Sequence, residues 1–81
     1  MFYVYILRSI SSPEEIYIGF SNNLKNRIVA HNAGQSTHTN KFKPWKLETY
    51  IAFSYETKAR DFEKYLKTDS GIAFRSKRLI G

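Results

Sequence analysis

"FYVYILRSISSPEEIYIGF", residues 2–20, decides the fold. Two apolar, aromatic runs, "FYVYILR" (2–8) and "EIYIGF" (15–20), flank a short polar stretch that carries Pro13, the pattern of a β-hairpin. The first run is apolar on both faces, so it predicts a central strand covered on both sides. Strand alternation puts Tyr3, Tyr5 and Leu7 on one face and Phe2, Val4 and Ile6 on the other. On the return strand Tyr17 and Gly19 oppose Ile16, Ile18 and Phe20. A hairpin needs no particular tyrosine. Tyr5 and Tyr17 are therefore either core packing or two sides of a reaction site, and Gly19 either leaves room beside them or serves a bulge.

Working outward, "SNNLKNRIVAHNAG" (21–34) predicts a helix capped by Ser21 or Asn22 and closed by Gly34 in a left-handed conformation. "QSTHTNKFKPW" (35–45) is polar and short and reads as a loop, and "KLETYIAFS" (46–54) as a third strand. Residues 55–67 have helical spacing, with Ala59, Phe62 and Leu66 on one stripe. "TDSG" interrupts that helix, and residues 72–80 form a short basic terminal one. The order β-β-α-β-α-α implies an α+β domain, a three-stranded antiparallel sheet flanked by helices.

The 81 residues allow one domain, spanning 1–81, with a small core. The absence of cysteine excludes disulfides, thiolate metal sites and a cysteine nucleophile. That composition suits the reducing cytoplasm, the start lacks the features of a signal peptide, and no apolar run approaches the ~20 residues of a membrane span. The formal charge of +6 is uneven. Residues 41–81 carry ten basic and five acidic side chains, which accounts for nearly all of it. Either the excess is a solubilising surface or it binds a polyanion by displacing counterions from phosphates.

Three polar side chains fall where apolar ones belong. Leu24 and Ile28 define the inner stripe of the first helix, and Arg27 and His31, spaced i, i+4, lie in the same arc. Either Arg27 snorkels to the rim or it has a purpose, and His31 read alone is a satisfied structural histidine. In the second long helix Glu63 lies inside the Ala59–Phe62–Leu66 stripe, where it needs a cation, a metal or an ion pair with Arg27. Two phenols, an Arg, a His and a Glu on inward positions make a phosphodiester-hydrolysis set: a proton acceptor, a phosphate binder and a holder of a hard cation.

With these residues in view, the sequence resembles the GIY-YIG nuclease superfamily, in particular its small stand-alone bacterial members similar to the nuclease domain of the excinuclease. "YVY" (3–5) stands at the first signature, with Tyr3 in place of the name-giving Gly and Val4 in place of Ile, and "YIG" (17–19) matches the second outright. "NLKNRIVAHNAG" (23–34) resembles the family's Arg- and His-bearing helix, and "ARDFEKYLKTDSGIAFRSKRL" (59–79) its Glu helix and tail. The resemblance covers essentially the whole chain.

It implies that Tyr5 and Tyr17 flank the attacking water, one of them as general base. Arg27 would bind the scissile phosphate, and His31 would orient a tyrosine or share its proton. Glu63 would be the sole protein ligand of one divalent cation, Mg2+ or Mn2+, weakly held without substrate. The expected function is metal-dependent cleavage of DNA, of the repair or processing type, by a cytoplasmic monomer whose specificity a protein partner could supply. The alternatives are a non-catalytic nucleic-acid-binding module of the same fold and a structural protein. The expected DNA surface comprises Lys41, Lys43 and Lys46, with Arg75, Lys77 and Arg78 of the tail as the second choice.

Overall fold

A computed structural model describes residues 1–80. Strand β1 (Phe2–Ser9) lies between β2 (Ile16–Ser21) and β3 (Trp45–Phe53), antiparallel to both, in the sheet order β2-β1-β3. Its double coverage follows from its doubly apolar sequence. Val4 and Ile6, with Ile18 of β2, pack against Ala59 and Leu66 of α3 (Glu56–Leu66). Phe74 of α4 (Asp69–Arg78) extends that layer. On the opposite face Tyr5, Leu7 and Trp45 are buried beneath Tyr17, Leu24, Ile28 and Phe42. Leu24 and Ile28 come from α1 (Leu24–Asn32). The expected α+β architecture and element order hold.

Four local expectations are corrected. The cap of α1 is Asn23, whose Oδ1 accepts from the Asn26 amide at 3.2 Å, whereas Ser21 Oγ accepts from the Asn23 amide. The segment 35–45 is not all loop. It contains a four-residue helix, α2 (Thr37–Asn40), whose Thr39 is fully buried, and its last residue opens β3. Residues 68–71 do not merely interrupt the chain: Thr68 caps α4 by accepting from the Gly71 amide, so α4 begins at Asp69. Gly71 fits because a Cβ there would overlap the Tyr65 carbonyl, so α3 and α4 turn on each other at contact distance. Finally, β3 holds a bulge opposite Ile6 and Leu7, where the pairing steps from Thr49 to Leu47. The extra residue, Glu48, pairs with Arg8 at 2.9 Å. Gly34 ends α1 at φ 78°, as its position predicts.

Candidate functional site

The site is built around the hydroxyl of Tyr5, which is completely buried on the central strand. In the register of the sheet Tyr5 faces Gly19 across to β2, and Leu7 faces Tyr17. A Cβ at Gly19 would overlap the Tyr5 hydroxyl and lie 2.9 Å from the Tyr17 ring. Of the two readings of Gly19, leaving room is the one the geometry bears out. The Tyr5 and Tyr17 rings stand 6.3 Å apart, and the His31 ring lies 4.8 Å from Tyr17.

His31 reaches the same point from α1. Tyr5 Oη and His31 Nε2 are 2.9 Å apart, and His31 Nδ1 and Thr39 Oγ1 are 2.7 Å apart. The Thr39 carbonyl in turn accepts from Trp45 Nε1 at 2.9 Å. A polar loop segment thus folds into α2 because it supplies the buried imidazole's second partner. Arg27 gives the chain a direction. Its guanidinium approaches both phenols and has only donors to offer, so the Tyr5 oxygen accepts toward Arg27 and its proton points to His31 Nε2. The imidazole then donates from Nδ1 to Thr39. His31 is a satisfied histidine, and it also touches the one hydroxyl on which the site is centred.

Burial pushes the Tyr5 phenol up to about 12, against a smaller downward pull from Arg27 and with small upward contributions from Tyr17 and Glu63. Tyr5 is a neutral donor at pH 7. His31 is held below its ordinary value, first by burial and then by the Arg27 charge. It is a neutral acceptor. Interaction with the Tyr5 hydroxyl, outweighing desolvation, raises the Arg27 value further, so the guanidinium stays charged.

The depressed His31 value makes a prediction about stability. The unfolded chain protonates histidine near pH ~6.5, while the folded chain resists it. The contribution of neutral His31 is therefore fully present above that pH and is lost as pH falls toward the folded-state value. Melting temperature should be flat from pH 8 to 7 and decline between about pH 6.5 and 5. His31→Gln should melt lower at pH 7 but lose most of that slope. An equal slope in both proteins would assign the acid sensitivity elsewhere.

The remaining expected residues divide. Arg27 is exposed along most of its length and brings only its head to the phenols. The Glu63 side chain is 21% exposed, and its charge is felt at Tyr5. It forms an ion pair with Lys67 at 3.2 Å one helical turn away, not with Arg27. Lys41, Lys43 and Lys46 are exposed, Lys41 over the Phe42 ring and Lys46 3.8 Å from Glu48. Lys46 is level with Arg8 in the sheet, about 10 Å of strand beyond Tyr5. Arg75 is committed elsewhere: its guanidinium donates to the Leu66 carbonyl at 3.1 Å, closing α3, while Lys77 and Arg78 are exposed.

Two residues of the site carry almost no sequence signal. Thr39 lies in a polar segment that reads as loop, and its only mark is a hydroxyl eight positions beyond His31. Arg60 sits over the Phe20 ring at 4.1 Å and pairs with Glu56 at 2.7 Å. It lines a cleft of about 350 Å3 together with Arg27 and Asn22. Its place four residues beyond Glu56 predicts that ion pair, but nothing in the sequence relates it to Arg27.

Among the described residues no group of three or more His, Asp or Glu side chains could hold a metal ion. The donor set therefore does not fit zinc, which takes three or four protein ligands. A lone carboxylate does fit magnesium or manganese, hard ions that complete their shell with water and phosphate oxygens. The Lys67 pair opposes this weakly, since the lysine side chain is 55% exposed. No helix of the described residues is long and apolar enough to cross a membrane.

Comparison with known proteins agrees with this geometry. A family model described as the GIY-YIG catalytic domain matches residues 1–75. A structure-specific endonuclease subunit SLX1 homolog of Giardia intestinalis is 37% identical over 65 residues, covering 75% of this chain. The match spans only 18% of that relative's length. A UPF0213 protein of Clostridium perfringens is 40% identical over 68 residues, covering 83% of this chain and 71% of the relative. The solution NMR structure of a UPF0213 protein from Bacillus halodurans matches with a TM-score of 0.57 at 25% identity, over 98% of this chain and 87% of that one. From the family match, its coverage and these relatives, the chain belongs to the GIY-YIG family.

Proposed function

We propose that the protein is a metal-dependent endonuclease that hydrolyses phosphodiester bonds in DNA, of the repair or processing type. One observation carries this reading: Tyr5, Tyr17, His31, Arg27 and Glu63, from two strands and two helices, act on one buried hydroxyl. A core tyrosine would need one hydrogen-bond partner, not a cation, an anion and an imidazole. The family match supports a nuclease, and the name of the Giardia relative supports an endonuclease.

In this reading Arg27 holds the scissile phosphate and stabilises the charge that grows on its oxygens. Tyr5 accepts a proton from the attacking water as its own passes to His31 Nε2, and Thr39 keeps that nitrogen free to receive it. Water forms the new bond to phosphorus, and the phosphorus–oxygen bond to the leaving strand breaks. Because Tyr5, not Tyr17, is hydrogen-bonded to His31, Tyr5 is the relay and Tyr17 flanks the water. Glu63 would hold Mg2+ or Mn2+, which, when bound, neutralises phosphate charge and acidifies its waters. Binding to DNA in chelator, with cleavage on adding magnesium, is the test. Binding with no cleavage would make the domain a non-catalytic module of the same fold.

The exposed Lys41, Lys43 and Lys46 extend the phosphate-binding surface beyond the site. Reversing the three charges should weaken binding to every DNA sequence about equally and flatten the salt dependence by roughly two to three log units per log unit of salt. An unchanged affinity and salt slope would exclude this surface.

A further inference from the structure

The largest cleft on the protein, about 500 Å3, is not the one that holds Arg27. Leu24 and Ile28 of α1 line it beside the rings of Tyr3 and Tyr50, and Asn22 and Lys25 add polar groups. Tyr50 pairs with Tyr5 across the sheet, so both rings project from the same face. The Tyr3 and Tyr50 rings meet edge to face at 5.9 Å and 64°. Tyr50 nevertheless remains 50% exposed on an edge strand. No core requirement accounts for an aromatic left half in water over an apolar floor. Asn22 lines this cleft and the Arg27 cleft alike, so the two are continuous.

We infer that this cleft is a nucleobase subsite, in which Tyr50 and Tyr3 stack the base of the nucleotide next to the phosphate held by Arg27. The inference rests on the nucleic-acid reading above. An aromatic face accepts any base, and stacking on such a platform is tolerant of sequence. The amide of Asn22 and the ammonium of Lys25 suit base edges and the flanking phosphate. Tyr3 lies two residues along β1 from Tyr5, about 7 Å. One nucleotide bridges that reach. A base in the cleft must be unstacked from its neighbours, so the nucleotide beside the cut is unpaired when bound.

The experiment compares, in chelator, the affinity of a short labelled single-stranded oligodeoxynucleotide with that of an abasic strand of the same length, for wild type, Tyr50→Ala and Tyr50→Phe. Wild type should prefer the strand with bases. Tyr50→Ala should lose roughly five- to a hundredfold in affinity for that strand, keep its affinity for the abasic one, and melt as wild type does. Tyr50→Phe should retain the preference, because the ring stacks and the hydroxyl does not. Equal weakening on both strands, or none on either, would overturn the subsite. Base preference in a protein that never cuts would uphold the subsite and remove only the catalytic reading. Failure of wild type to bind either strand or duplex would overturn both.

Discussion

Glu63→Gln should abolish cleavage while leaving the fold and DNA affinity nearly intact. The amide keeps the shape of the side chain and removes the charge that a hard cation requires. Glu63 pairs with an exposed lysine on its own helix, so the substitution forfeits only a few tenths of a kcal/mol of surface ion pairing. The melting temperature should move by about 2 °C or less. Free protein should bind magnesium weakly, because one carboxylate and water make a poor site until DNA phosphate completes it. Calorimetric titration of magnesium with and without DNA, beside the rate measurement, checks both halves. If wild type cuts with magnesium and Glu63→Gln cuts as fast, Glu63 holds no essential metal.

Arg27→Ala should lower turnover by roughly 10²–10³, the scale for losing one preorganised charge stabiliser. The sequence left open an Arg27–Glu63 ion pair, in which case the mutant would strand an acid in the core. Glu63 pairs with Lys67 instead, so Arg27→Ala should melt close to wild type. It should leave a second mark. The Arg27 charge helps hold the His31 value down, so its removal lets His31 protonate at higher pH in the folded state. The acid loss of stability between about pH 6.5 and 5 should shrink in the mutant. A large fall in melting temperature with normal turnover would mean that Arg27 serves the fold alone.

The strands, their faces and the helical stripes were legible because each rests on a period that burial enforces. Val4 and Ile6 had to oppose Tyr5 and Leu7, and both sets found cover. Glu63 and Arg27 were conspicuous because charge in an apolar stripe is costly, but the stripe could not say which partner each would take. Thr39 was invisible for the opposite reason. A threonine in a polar segment breaks no pattern, and its burial follows from an imidazole eight positions away. The start of α4 was missed because Asp69, Ser70 and Gly71 are poor interior helix residues. They sit in a first turn, where Thr68 caps them and Gly71 meets the Tyr65 carbonyl. Arg75 read as a free tail cation, yet it closes a neighbouring helix through a contact nine residues back. Pairings of this kind are tertiary and leave no local signature.

The central claim is that this site hydrolyses DNA. Its most direct measurement is incubation of the pure protein with labelled duplex, single-stranded, flapped and branched DNAs, in chelator and with magnesium or manganese. Glu63→Gln purified in parallel serves as the control for contaminating nuclease. The account predicts that at least one substrate is cut by wild type only when metal is present, and by Glu63→Gln not at all. Binding without cleavage of any substrate in either metal, or cleavage that persists in chelator, would contradict it.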